Sequence, residues 1–181
     1  MSPENNTIVI VPEDAPQVPV AIDDSATLLA VISRAASDPS VDVDKLERLM
    51  AMHERFEGKK ASVAYAEALA LMQPKLPKIP RLGAIKNNSG SVQSRYAKWE
   101  HVNELIRPVL AAHDFSLTFR IDCADKIKVT GVLTHKAGHF EETTITLPAD
   151  TSGSKNAVQA VASSVSYGKR YTAGALLNLT S

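Results

Sequence analysis

The first apolar positions with helical spacing begin at residue 25, where Asp24 or Ser25 can cap a helix that ends at Asp38-Pro39. A second, longer apolar stripe opens at Asp42 or Asp44 and continues to Pro74, with charged residues on the opposite side. The pattern therefore predicts a helical segment over residues 25–73, whose second part is an amphipathic helix or a pair of helices.

Beyond this segment the period of the pattern changes. Three prolines in residues 74–81 forbid a helix, so we expect an extended basic connector that presents Lys75, Lys78 and Arg81. Alternation of period two then predicts five strands: Ala84–Lys86, Val92–Trp99, Phe115–Asp122, Lys126–His135 and His139–Leu147. Helical spacing returns over Glu100–Ala112 and Asn156–Leu179. The expected fold class is α+β: N-terminal helices plus a ββ-α-βββ-α core, residues 74–181, with an antiparallel sheet packed on helices.

Composition adds a division by charge. The chain has 181 residues with 20 basic and 20 acidic side chains, so its net charge is zero. Residues 1–24, however, hold five acids, four of the ten prolines and no Lys or Arg. We interpret them as a disordered acidic arm, which leaves a body with a net charge of +5.

Cellular location follows from what the sequence lacks. A single cysteine, Cys123, permits no internal disulfide and no CxxC zinc module, which indicates a reducing compartment. No apolar run approaches the roughly 20 residues that cross a bilayer, and the N-terminus has no signal-peptide pattern. We expect a cytoplasmic protein with no membrane partner.

Motifs for enzymatic chemistry are absent from the sequence. There is no GxxxxGK[ST], GxSxG or HExxH, and Cys123 stands between acidic residues that disfavour a thiolate. His135 and His139 flank a hairpin turn, but a zinc site needs a third and a fourth ligand. The candidates for these are Glu141 and His113. We expect no catalytic residues, no metal and no cofactor.

Basic residues alternate with aromatic ones between residues 75 and 107. This stretch has seven basic and two acidic residues, which gives it a local charge of +5, and it also contains Tyr96 and Trp99. Cations for phosphates and flat rings for bases are what sequence-independent single-strand binding requires. A core role for both rings and a solvated face for the cations explain the composition equally well.

A second basic-aromatic run is Ser166-Tyr167-Gly168-Lys169-Arg170-Tyr171, within the last predicted helix. On a helical wheel Arg170 lies in the middle of the polar face. Lys169 falls near the apolar stripe, so it must snorkel, or the helix must bend at Gly168, or the lysine pairs with an acid at the edge of the core.

This run, followed by Ala175-Leu176-Leu177-Asn178-Leu179, resembles the hallmark of the ERF family of phage single-strand annealing recombinases. Further pieces agree in order and spacing over about residues 61–181: Ser94-Arg95-Tyr96-Ala97, Ile106-Arg107-Pro108-Val109-Leu110, Leu133-Thr134-His135-Lys136-Ala137-Gly138 and Asn156-Ala157-Val158-Gln159-Ala160. The chain departs from the pattern at Gly168, where the family often has alanine; we expect this change to be minor.

The resemblance implies an ATP-independent protein that binds single-stranded DNA and anneals complementary strands in phage-type recombination and repair. It also implies a ring or filament of identical subunits in the bacterial host cell, with a host single-strand-binding protein as a possible partner. The DNA-binding candidates are Arg170, Lys169, Arg95, Lys98, Tyr96, Trp99, Tyr167 and Lys86, whereas Tyr171 is expected to pack. A small metal-dependent nuclease or transferase and a protein-interaction module without DNA affinity remain as alternatives.

Overall fold

The computed structural model describes residues 24–38, 41–87, 89–153 and 155–180. The predicted acidic arm lies outside these residues, apart from Asp24. Two compact units divide the chain, Met1–His53 and Glu54–Ser181. No helix within the described ranges is long and apolar enough to cross a membrane.

Two helices form the N-terminal segment: α1 spans Asp24–Ala36 and α2 spans Val43–Met72. The sequence allowed either one long helix or a pair of helices over this stretch. The structure has one helix, because α2 continues through Gly58. A Cβ atom at Gly58 would meet nothing within 4 Å, so this glycine serves neither a turn nor a close contact.

The connector after α2 is less extended than predicted. Gln73–Lys75 form a 3-10 turn. Pro74 is tolerated there because the N–H groups in the first turn of a helix make no hydrogen bond within the helix, so a proline removes none.

The remaining elements have the predicted order. They are β1 (Gly83–Lys86), β2 (Val92–Tyr96), α3 (Trp99–Ala112), β3 (Phe115–Asp122), β4 (Ile127–His135), β5 (Phe140–Leu147) and α4 (Ala157–Leu177). Strands β1 and β2 form a separate antiparallel hairpin, and β3-β4-β5 form a three-stranded antiparallel meander. The fold is therefore α+β with helices packed on antiparallel sheets, and its strands divide into two sheets.

Close packing between α4 and the meander fixes where the basic run of α4 lies. A Cβ atom at Gly168 would come within 2.5 Å of Val129 Cγ2 on β4, and one at Gly131 would come within 2.9 Å of Thr172 Oγ1. Both glycines are thus points of close approach between helix and strand. α4 continues without a break through Gly168, and this glycine accommodates the strand.

The hydrophobic core joins α3 and the end of α2 to this packed pair. Its buried members are Tyr65, Met72, Ile79, Ala97, Val102, Ile106, Leu110, Phe115, Leu133 and Leu177. Ile79, from the connector, also donates its backbone N–H to the carbonyl oxygen of Thr180. This bond holds the connector beside the C-terminal end of α4 and brings Arg81 close to the residues described next.

Candidate nucleic-acid interface

Helix α4 begins with a complete capping box. The side chain of Asn156 accepts a hydrogen bond from the backbone N–H of Gln159, whose side chain accepts one from the N–H of Asn156. Buried Gly168 and Thr172 face the meander. The side chains of Tyr167, Arg170 and Tyr171 cluster together on another part of the helix.

Arg170 is the centre of this cluster. Its Nη1 atom donates a hydrogen bond to the carbonyl oxygen of Ala97, 2.9 Å away, in the connection between β2 and α3. The guanidinium carbon lies 5.3, 5.0 and 5.2 Å from the ring centroids of Tyr96, Tyr167 and Tyr171. These distances are those of cation–π contacts. Arg170 is therefore half-buried among three rings rather than in the middle of a solvated face.

Tyr167 and Tyr171 stack on each other, with ring centroids 4.1 Å apart and planes inclined by 23°. The interaction between their hydroxyl groups raises the pKa of Tyr167 and lowers the pKa of Tyr171. Arg170 further lowers the pKa of Tyr171. The side chains of Tyr167 and Tyr171 are 40% and 49% exposed, so Tyr171, which was expected to pack, packs against Tyr167 and Arg170 at the protein surface.

Tyr96 reaches the cluster from the end of β2. It pairs with Gly83 across the hairpin, and a Cβ atom at Gly83 would lie 2.7 Å from the Tyr96 ring. The absence of a side chain at Gly83 lets the ring lie flat over the neighbouring strand. The hairpin thus holds Tyr96 half-buried against Arg170, and Tyr96 also lines a cavity beside this cluster.

A cavity of about 530 Å³ opens beside the cluster; we call it the basic pocket. Three arginines, Arg81, Arg95 and Arg170, line it together with two tyrosines, and no acidic side chain lines it in the ranges that the structure describes. The described lining residues are Ile79, Arg81, Arg95, Tyr96, Ala97, Val102, Arg170, Tyr171, Gly174, Ala175 and Leu179. A concave surface with this charge attracts an anionic ligand.

Lys169 and Trp99 occupy a different place. The Lys169 ammonium lies 5.6 Å from the centroid of the Phe119 ring, and Trp99 meets the same ring edge to face at 5.0 Å. Trp99 also packs against the hydrophobic core. The lysine therefore snorkels over an aromatic side chain at the core edge, and this pair does not line the basic pocket.

The structure brings four of the predicted site residues together: Arg95, Tyr96, Tyr167 and Arg170. Lys98 is exposed at the N-cap of α3 and does not line the pocket. The side chain of Lys86 lies outside what the structure describes. Sequence reasoning left Arg81 and Gly174 out of the site, although the basic connector had already marked Arg81 as a presented cation.

The two histidines considered for zinc have other surroundings. The His135 ring is buried 5.0 Å from the Phe115 ring, and His139 meets the Tyr65 ring at 4.9 Å and pairs with Glu141. Within the described part of the chain, no three His, Cys, Asp or Glu side chains converge as a metal would require.

Comparison with known proteins assigns a family. Searches among curated proteins and among solved structures gave no match. The family model of the ERF superfamily matches residues 65–181, which include the hairpin, the meander, α4 and every residue of the basic pocket. Because this match spans close to two thirds of the sequence, the chain belongs to the ERF superfamily.

Proposed function

We propose that this protein binds single-stranded DNA without sequence preference and anneals complementary strands without a nucleotide cofactor, in phage-type recombination. The observation that carries the proposal is the basic pocket, whose lining, among the residues that the structure describes, holds three arginines, two tyrosines and no acidic side chain. Membership of the ERF superfamily supports the same function, because that family is associated with strand annealing.

Phosphate binding is the role of the arginines in this mechanism. Arg81, Arg95 and Arg170 replace the counterions of successive phosphates, and this contact does not depend on base identity. Tyr167 and Tyr171 present a half-exposed pair of stacked rings next to these cations, on which a base can stack. A strand held in this way by its backbone keeps other bases available for pairing.

Lys169, Lys98, Lys86 and Trp99 belong to the outer part of the proposed surface. Lys169 keeps its charge near the surface over Phe119, from which it can attract phosphates at longer range. Trp99 contributes chiefly to packing, since it contacts Phe119 and the core. We therefore expect substitutions of these four residues to weaken DNA binding less than substitutions of the pocket arginines.

We further propose that the protein works as a ring or filament of identical subunits in the cytoplasm of a bacterial host cell. Helix α2 supports this, because Met52, Phe56 and Val63 lie at helical spacing on one side of it and are 47%, 42% and 50% exposed. A row of exposed apolar side chains on one helix face is typical of an interaction surface. An assembly joins short basic surfaces into one track, so contacts that are weak singly act together on a strand. A host single-strand-binding protein is the partner proposed to supply the strand.

The experiment that tests the function measures annealing of two complementary oligonucleotides, one labelled with a donor fluorophore and one with an acceptor. We expect the protein to accelerate annealing equally with and without ATP and Mg²⁺. Pairing that appears only with ATP would contradict the proposal. Degradation of the strands in Mg²⁺ would favour a nuclease, and no binding of any strand would favour a protein-interaction module.

A further inference from the structure

The basic pocket is larger and less polar than a phosphate track requires. Arg81 and Arg95 are exposed, whereas most of the apolar lining residues are more buried, so these cations lie on the outer side of the pocket. Half-buried Gly174 and Leu179 give the apolar wall its accessible surface, and Ile79 and Val102, each 2% exposed, support it from the core. A volume of about 530 Å³ lies in the range of pockets that enclose small organic ligands.

The polar groups of the pocket limit the chemistry of its ligand. Guanidinium groups donate hydrogen bonds and accept none, and the described part of the chain contributes no carboxylate to the lining. The ligand must therefore carry acceptors and negative charge at one end and an apolar, flat part at the other. Tyr171 and the Arg170 guanidinium, 5.2 Å apart, offer planar surfaces on which such a flat part can stack.

A nucleotide has this combination, and we propose that the basic pocket takes up one whole nucleotide of the bound strand. The base enters against the apolar wall, and its phosphate stays with the arginines at the rim. The inference rests on the proposed single-strand binding. It adds that one base per chain is withdrawn from solvent, so that base cannot pair until it leaves the pocket.

Gly174 allows this idea to be tested without removing a charge. It lines the pocket, and a Cβ atom placed on it would meet nothing within 4 Å. Gly174→Leu therefore fills the pocket while the three arginines remain. Gly58→Leu is the matched control, because Gly58 is also helical, also has open space around its Cβ position, and lies in α2, outside the pocket.

The first measurement uses 2-aminopurine deoxyriboside 5′-monophosphate as the probe. We expect wild type and G58L to shield its fluorescence from quenching by acrylamide at least about threefold, and G174L to give no shielding. A wild-type protein that does not shield the probe, or a folded G174L that shields it equally, would overturn the proposal. Circular dichroism checks the folding of each variant. The shielding measured with wild type tests the proposal even if a variant does not fold.

The second measurement is fluorescence anisotropy with a labelled 15-nucleotide oligothymidine. We expect G174L to bind about tenfold more weakly than wild type, the order of one lost base contact, and G58L to bind equally. The salt dependence should not change, because no phosphate contact is lost. A reduced salt slope in G174L would mean displaced phosphates and would contradict base insertion.

The two measurements also separate this inference from the proposed function. Oligothymidine binding with no shielding of the mononucleotide overturns the inference and leaves single-strand binding intact. Shielding of the mononucleotide with no binding of oligothymidine overturns the proposed function and leaves a nucleotide pocket.

Discussion

The Nη1 atom of Arg170 donates a hydrogen bond to the carbonyl oxygen of Ala97, which is 73 residues earlier in the sequence and 2.9 Å away. This bond joins α4 to the connection between the hairpin and α3, so the residue proposed to hold phosphate also fixes the pocket wall. A cation already ordered by a carbonyl and three rings loses little conformational entropy when a phosphate binds. Structure and binding thus depend on the same side chain.

The dual role of Arg170 predicts two effects of Arg170→Ala. We expect the free energy of unfolding to fall by about 1–3 kcal/mol, because the Ala97 carbonyl loses a charged donor, while the fold survives. Affinity for single strands should fall by more than it does in Lys136→Ala, whose side chain is exposed and paired with Asp114. Urea denaturation and anisotropy measure the two effects.

Arg170→Lys is the conservative variant in this series. It keeps the charge but lacks the planar group that matches three rings, so we expect intermediate affinity and stability. Equal loss of affinity in Arg170→Ala and Lys136→Ala, or loss of the helical circular-dichroism signal in Arg170→Ala, would show that Arg170 has a structural role alone.

The close contact between Gly168 and Val129 predicts that the stability of the fold depends on the small size of residue 168. An alanine there would place its Cβ 2.5 Å from Val129 Cγ2, so α4 or β4 must shift. We expect Gly168→Ala to lower the free energy of unfolding by about 1–3 kcal/mol. Gly174→Ala, on the same helix but with open space, should be neutral or slightly stabilising.

A double-mutant cycle identifies the cause. In a Val129→Ala background the added methyl group has room, so Gly168→Ala should cost at least about 1 kcal/mol less than in wild type. Equal costs in the two backgrounds would contradict the contact. The resemblance to the family leads us to expect a minor effect of this exchange, whereas the close approach to Val129 predicts a large one for this chain.

Asp150 predicts an acid dependence of stability. Hydrogen bonds from Lys155, Ser152 and Ser163 hold the pKa of this carboxyl well below its usual value and tie the loop before α4 together. The stabilisation is therefore complete above the unfolded-state pKa of about 3.9 and declines as the pH falls through the lower pKa of the folded state. We expect Asp150→Asn to melt at a lower temperature than wild type at pH 7.

The difference in melting temperature between wild type and Asp150→Asn should shrink progressively below about pH 4. Asp125→Asn is the control, since Asp125 is exposed in the turn between β3 and β4. A difference that stays constant from pH 7 to pH 3 would show that the charge of Asp150 does not contribute.

Local patterns predicted the elements well, and the reason is physical. Period two and period 3.6 are imposed by backbone geometry, so Phe115–Asp122 is the same range in the prediction and in the structure. The wheel also placed Lys169 correctly at the edge of the apolar stripe, where it lies over Phe119.

Long-range partners could not be predicted in this way. A helical wheel shows only the residues of one helix, so it predicts that the polar side of α4 faces solvent. In the structure, Ala97 and Tyr96 from another part of the chain contact Arg170 on that side. The role of Gly168 likewise depends on Val129, 39 positions away in the sequence. Arg81 enters the pocket because Ile79 is held by Thr180, a contact that no local pattern records.

The exposed apolar side chains of α2 predict that assembly depends on this helix. Polar substitutions at exposed Met50 and Phe56 and at half-buried Leu49 should lower the oligomer mass in light scattering before they unfold the protein. Deletion of residues 1–24 should change neither assembly nor DNA binding. A wild-type protein that is a monomer at micromolar concentration, with and without DNA, would contradict this part of the proposal.

The central claim, that cations of the basic pocket hold DNA by its phosphates, is tested most directly by a salt titration of single-strand binding. Affinity of wild type and Arg95→Ala for a labelled oligothymidine is measured by anisotropy at several NaCl concentrations. If the three pocket arginines and one outer lysine each neutralise one phosphate, about four per subunit, log K for wild type should fall with log[salt] at a slope of about −3, and Arg95→Ala should reduce the magnitude of that slope by about 0.7. A flat salt response in wild type, or an unchanged slope in Arg95→Ala, would contradict the claim.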